Sequence, residues 1–271
     1  MPEHNIGQDQ QFLAEQYKSA DNLALRRRTH EQYGEQQADF ITWNLDRLTW
    51  TGTEQVLDVG CGDGAYAAAA QERAKSYIAG DLSQGMLDGL PGRVTYRVNL
   101  NAQQLPFPDK SMDVILANHM LYHVSDQARA VSEFRRLLRP GGRLLAATNS
   151  TMNMPELRTL QMQIMANLGR DRTQINWPRS IPSFTLENGA ELLTPYFNHV
   201  ERHNLPGALI FPEPQPLINY LASMRARYLV SMLPEITWQM VADAMETILS
   251  AHIAEHGQYR VSKLAGTFVC W

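Results

Sequence analysis

A doubly wound α/β fold around a mostly parallel sheet is what this sequence predicts, and three observations predict it. Short apolar runs alternate with helical patterns from residue 55 to residue 148. The glycine-rich stretch VLDVGCGDG at 56–64 closes the first of those runs and opens a helix. A carboxylate, Asp81, stands at the end of the second run, twenty-three residues after Asp58. Strand, helix, strand at this spacing requires crossover connections, and crossovers put helices on both faces of a parallel sheet.

The elements follow in order. Residues 1–34 read as a polar, irregular N-terminal arm with a basic run at Arg26, Arg27 and Arg28. An amphipathic helix is expected over 35–48, where Ile41, Leu45 and Leu48 share a stripe. Strands are expected at 55–59, 76–80, 94–100, 113–117 and 143–148, with helices at 65–74, 84–90 and 126–138. The RPGG turn at 139–142 stops the last of these helices, as Pro and Gly do. Beyond 150 the rhythm changes. A Met-bearing helical stretch leads to the Pro-punctuated segment NWPRSIPS, and Leu186, Ala190, Leu193 and Phe197 mark another helix before a strand at 200–203. Two helices are expected within 214–257, one striped by Leu217, Leu221, Met224 and Tyr228, and then a last strand at 264–271. The chain thus divides into an arm (1–34), a core (35–150), a helical cap segment (151–182), a return to the core (183–213), a second cap segment (214–257) and a final core strand (258–271). Eight of the twelve methionines lie between 152 and 245, either as adaptable lining for a ligand or simply as filler of the cap's own core.

Composition narrows the function. A net charge of −4 and a pI near 6.1 give no basic field for nucleic acid or an anionic membrane surface. Two cysteines, Cys61 and Cys270, are too few and too far apart for a zinc site. The first residues lack the basic and apolar regions of a signal peptide, and no apolar run approaches the ~18 residues of a membrane span. A cytoplasmic enzyme acting on a small molecule is the expectation, with the oligomeric state left open.

The glycine loop carries the chemistry. Gly60, Gly62 and Gly64 let the backbone turn tightly and approach a ligand without Cβ clashes. A carboxylate at Asp81 can accept from both ribose hydroxyls of an adenosine. On spacing alone, Gly60, Gly62 and Ala65 also fit the GxGxxA form of a dinucleotide site, so a nicotinamide-dependent oxidoreductase stays open. Charge separates the two. Between Leu48 and Glu72 there is no Lys or Arg, while Glu54, Asp58, Asp63 and Glu72 are acidic. A ligand bearing an ammonium and a sulfonium prefers such a loop, and S-adenosylmethionine bears both. Asp58 has a second role open to it, as a strand-end residue capping its own turn.

With VLDVGCGDG, then GDLSQGML, then NLNAQQLPFPDKSMDVILANHMLYHV and LRPGGRLL, the chain resembles the class I S-adenosylmethionine-dependent methyltransferases of the type 11 family over residues 50–150. The resemblance implies a seven-stranded, Rossmann-like sheet with the cofactor across the carboxyl ends of the first strands. It implies that Gly60, Cys61 and Gly62 line the methionyl side and that Asp81 binds the ribose. Leu82 and Met86 then pack on the adenine, and Asn101 with Ala102 stands at the adenine amino group. The family usually has Asp where this chain has Asn101, whose side-chain oxygen also accepts. Asn118 and His119 correspond to positions near the transferred methyl.

Methyl transfer is an in-line displacement, so alignment and exclusion of water are the enzyme's main work. His123 is the candidate general base, its imidazole suited to proton transfer near neutrality; a histidine that merely bonds backbone beside the cofactor is the alternative. His119 and His123 lie four apart but leave a strand, with no third ligand, so no metal is expected. The arginine run is either a solvated face, an anchor for an anionic substrate, or part of an arm in which Tyr17 and Arg28 close the cofactor site. Trp43, Trp177 and Trp238 wall a pocket or simply pack, and Cys61 reads as a small buried filler. A catalytically silent cofactor-binding or partner module remains the third function class.

Overall fold

The computed structural model describes residues 17, 21–35, 39–170, 183–224 and 235–271. Seven strands form one sheet: β1 (Gln55–Val59), β2 (Ser76–Asp81), β3 (Tyr96–Asn99), β4 (Met112–Leu116), β5 (Leu138–Asn149), β6 (Val200–Phe211) and β7 (Tyr259–Cys270). Their order is β3-β2-β1-β4-β5-β7-β6. The first five run parallel, and β7 lies antiparallel to both neighbours. Chain direction across the sheet switches between β1 and β4, which opens a crevice at the carboxyl ends of those strands.

Burial on both faces explains the apolar runs that mark β1 and β4. Successive side chains alternate between faces. Leu57, Val59 and Ile115 therefore enter one core with Phe134, Phe184 and Phe268. Val56, Val114 and Leu116 enter the other with Ala67, Ala70 and Leu145. The first core is closed by α5 (Gln127–Leu137), whose Ala130, Val131, Phe134 and Leu137 share its buried face and whose first turn is capped by the Asp126 carboxylate accepting from the Arg129 N–H. The second is closed by α3 (Ala67–Arg73), with α4 (Gln84–Asp88) after β2. RPGG does end α5, and the strand begins at once: Met112 pairs with Leu138 and Val114 with Arg143, so the turn is held as a bulge within β5.

A third core lies beyond the sheet. There α6 (Pro155–Asn167), α8 (Pro214–Ala222) and α9 (Trp238–His256) pack on the far halves of β6 and β7, around Leu160, Ile164, Leu209, Phe211, Leu217 and Val261.

Several expectations need correction. Residues 21–33 are not irregular but form α1 (Asp21–Tyr33), in which Thr29 alone is fully buried. A helix lying across the edge of a sheet needs no continuous apolar stripe, so periodicity could not announce it. The helix expected over 35–48 contracts to α2 (Phe40–Leu45), started by Asp39 accepting from the Ile41 and Thr42 N–H groups. The one expected from Leu186 to Phe197 contracts to α7 (Gly189–Leu193). Strand β6 is three times its expected length, because its distal half pairs with β7 rung for rung out to Phe211 and Tyr259. Trp177, Tyr228 and all of the NWPRSIPS segment but its final Ser183 lie outside the described residues. Among the described residues, no helix is long and apolar enough to cross a membrane.

Candidate active site

The loop after β1 holds Gly60, Gly62 and Gly64 at φ of 72°, 54° and 73°, the left-handed region that disfavours side chains. At Gly60 the strain is joined by crowding, since a Cβ there would stand 2.7 Å from that of Met120. The loop is tied to β2 twice. Gly60 and Cys61 donate their N–H groups to the Gly80 carbonyl at 2.7 and 3.0 Å. The Asp81 carboxylate then accepts from the Gly62 N–H at 2.9 Å with one oxygen and from the Ser83 N–H at 2.8 Å with the other. Burial raises the Asp81 carboxyl above the usual range, and those N–H groups act against the rise. Each oxygen keeps a lone pair for a ribose hydroxyl.

Asp58 is 2% exposed and accepts from the Tyr77 hydroxyl at 2.6 Å. Burial is the main cause that lifts its carboxyl to about 7; the neighbouring Asp81 charge adds to it and the Tyr77 bond opposes it. The folded chain therefore keeps this proton to a higher pH than the unfolded chain, and its contribution to stability falls as pH rises from about 4 to about 7. Urea titrations across that window are expected to show the parent losing stability relative to Asp58→Asn, and parallel profiles would refute the assignment. Cys61 is buried beside the same carboxylates, which with desolvation push its thiol far up; it is an inert filler.

Leu82 turns 70% of its surface outward while Met86 is buried beneath, so of the two only Leu82 offers a free apolar face to a base. Ala102 is buried, and the Asn101 side-chain oxygen already accepts from Gln103, through its backbone N–H at 2.9 Å and its amide at 3.3 Å. An adenine amino group must share that oxygen.

Past β4, Asn118 is 9% exposed and its oxygen accepts from the Asn44 amide at 2.9 Å. Asn44 also donates to the Tyr66 hydroxyl at 3.0 Å. The Asn118 amide nitrogen and the Asn44 oxygen are buried without a hydrogen bond among the described residues. His119 follows at φ 56°, its N–H on the Ala147 carbonyl and its ring 5.4 Å from that of Phe40. Desolvation, with Lys263 nearby, lowers its imidazole to about 4 and keeps it neutral.

Tyr17 and α1 border this crevice. The Tyr17 hydroxyl meets His123 Nε2 at 2.9 Å, and the Tyr17 carbonyl accepts from the Ser83 hydroxyl at 3.0 Å. Leu23 of α1 reaches to 3.1 Å of where a Gly62 Cβ would be. Arg27 pairs with Asp63 at 2.9 Å, so a loop poor in cations along the chain receives one across space. Arg28, one residue on from Arg27, is turned about 100° around the helix from it and lies exposed. Sequence reasoning missed Leu23 and Asn44, which carry no motif and reach the site only through the fold, and it gave no role to Ser83 and Met120 inside the quoted motifs. Among the described residues no group of three or more His, Cys, Asp or Glu could hold a metal ion.

These features fit an adenosyl sulfonium amino acid. An outward apolar face lies beside a ribose-ready carboxylate, a glycine cradle admits no side chain, and carboxylates stand where positive charge would sit. Comparison with known proteins agrees. The methyltransferase domain family matches residues 57–146. The malonyl-(acyl-carrier protein) O-methyltransferase of Yersinia pestis is 30% identical over 217 residues, 79% of this chain and 69% of that protein. The demethylmenaquinone methyltransferase of Corynebacterium glutamicum (strain R) is 34% identical over 125 residues, 45% of this chain and 53% of its own length. The crystal structure of a putative methyltransferase from Bacillus halodurans superposes with a TM-score of 0.56 at 17% identity, covering 86% of this chain and 98% of the other. The glycine loop, the strand order and the likeness to the Yersinia enzyme along most of both chains lead to one assignment: the chain belongs to the S-adenosylmethionine-dependent methyltransferases, with their Rossmann-like fold.

Proposed function

We propose that this enzyme transfers a methyl group from S-adenosylmethionine to a small-molecule acceptor, with the described residues of the two cap segments, 151–170, 214–224 and 235–257, covering the acceptor. The observation that carries the reading is the junction at Asp81, where one carboxylate fixes the glycine loop and keeps lone pairs for a ribose. Gly60, Cys61 and Gly62 line the methionyl side, with the Asp58 carboxylate behind them. Leu82 lies on the adenine over Met86, and Asn101 with Ala102 borders its amino group. Asn118 and His119 stand near the transferred methyl, the Asn118 amide having a donor to offer. Tyr17 closes the crevice. The bound cofactor supplies a methyl group made electrophilic by its sulfonium.

His123 receives the acceptor's proton. With Nε2 accepting from the Tyr17 hydroxyl, the Tyr17 oxygen can relay a proton from the acceptor to the imidazole. The low pI and the demethylmenaquinone methyltransferase among the relatives support a small acceptor over a nucleic acid. Calorimetry with S-adenosylhomocysteine, followed by labelled-methyl transfer to a metabolite extract, tests the reading. Saturable uptake and a labelled small product are expected. No uptake by folded protein overturns it, and uptake without transfer reduces the chain to a cofactor-binding module.

A further inference from the structure

Four basic side chains from three distant stretches lie close enough for their charges to act on one another. Arg26 and His30 come from α1, His119 from the end of β4 and Lys263 from β7. His30 Nε2 meets the Tyr220 hydroxyl at 3.0 Å, the two rings edge to face at 5.6 Å. Arg26 donates through Nε to the Asn22 carbonyl at 3.1 Å, while its Nη2 is buried with no hydrogen bond. Among the described residues no carboxylate pairs with Arg26 or Lys263. Glu156 serves Ser262, whose side chain occupies the pleat opposite Lys263. The crowding of positive charge shows on the histidines. Burial first, then Lys263, His119 and Arg26, keep His30 neutral down to about 3, and burial lowers Lys263. Half-buried cations without a counter-charge carry a desolvation cost, and a ligand that brings an anion offsets it.

The basic cluster adjoins an apolar chamber. Tyr220, which meets His30, also donates to the Met154 sulfur at 3.8 Å. Met154 is part of the wall of a cavity of about 340 Å³ shared by Leu160, Ile164, Met165, Met224 and Met245. Thioethers and branched chains at such a wall accept flexible hydrocarbon.

We infer that the acceptor is an amphiphilic anion, its charged end held by Arg26 and Lys263 beside His30 and His119, its aliphatic body in the methionine-lined cavity. This rests on the methyl-transfer reading above.

Calorimetry with decanoate and with decanol, each with and without saturating S-adenosylhomocysteine, tests it. Decanoate is expected to bind at least about tenfold more tightly than decanol. Lys263→Met is expected to abolish that preference while binding S-adenosylhomocysteine as the parent does. Arg26→Gln, on a helix at the surface, provides an independent second variant with the same expected loss. Equal binding of the two probes, tighter binding of decanol, or an unchanged preference in both variants overturns the inference. Failure to bind S-adenosylhomocysteine at all strikes the methyl-transfer reading instead, so the two failures are distinguishable.

Discussion

His123→Ala is expected to lower kcat by about 10²–10⁴-fold while leaving affinity for S-adenosylhomocysteine within about threefold of the parent. The side chain stands at the end of a 3-10 turn, Leu121–His123, with its ring 4.5 Å from that of Tyr122 and its Nε2 on the Tyr17 hydroxyl. Neither contact is a cofactor contact, so loss of the imidazole falls on the proton-transfer step. Tyr17→Phe separates relay from closure. A relay predicts a loss in kcat with KM for the cofactor nearly unchanged. A tyrosine that only fastens the N-terminal residues predicts a higher KM with kcat retained. Near-normal turnover of His123→Ala in saturating substrate rules out the base.

Asp81→Ala is expected to weaken S-adenosylhomocysteine binding at least about 100-fold and to cost about 2 kcal/mol of folding stability. Two backbone donors, the N–H groups of Gly62 and Ser83, lose their acceptor at once, and the ribose loses its own. Asp81→Asn keeps the shape but can accept with only one of its two arms, so an intermediate loss is expected. Calorimetry and urea denaturation of the three proteins read both effects. Undiminished cofactor affinity in Asp81→Ala would remove Asp81 from the ribose.

The parts of the fold legible in the sequence are those buried on two sides. β1 and β4 announce themselves because every residue of Val56–Val59 is buried, and a continuous apolar run leaves little else to choose. The glycine loop is legible because positive φ at three alternate positions calls for one residue type. Half-exposed elements were harder. Past the strand expected at 200–203, β6 carries Asn204, Pro206 and Gly207, a composition that reads as loop until the whole β7 ladder is seen beside it. Helix phase was illegible too: three consecutive arginines cannot say which of them pairs with Asp63 and which buries its guanidinium, and Arg27 does the first while Arg26 does the second. Arg26 and His30 are four apart on one helix, but nothing in the sequence relates them to residues 119 and 263, which topology alone brings near.

The β6–β7 hairpin has an evolutionary consequence. Its ladder is unbroken from Val200↔Cys270 to Phe211↔Tyr259, and residues 212–258 leave and re-enter the chain across that last rung. Closing a longer or shorter excursion at such a point costs little, because loop entropy grows only logarithmically with length. Descendants can therefore exchange α8 and α9 for other helices, provided the newcomers cover Leu209, Phe211 and Val261, without disturbing the register that places Asp81 and the glycine loop. New selectivity can arise at the tip of the hairpin while the edge formed by Asp81 and the glycine loop stays as it is.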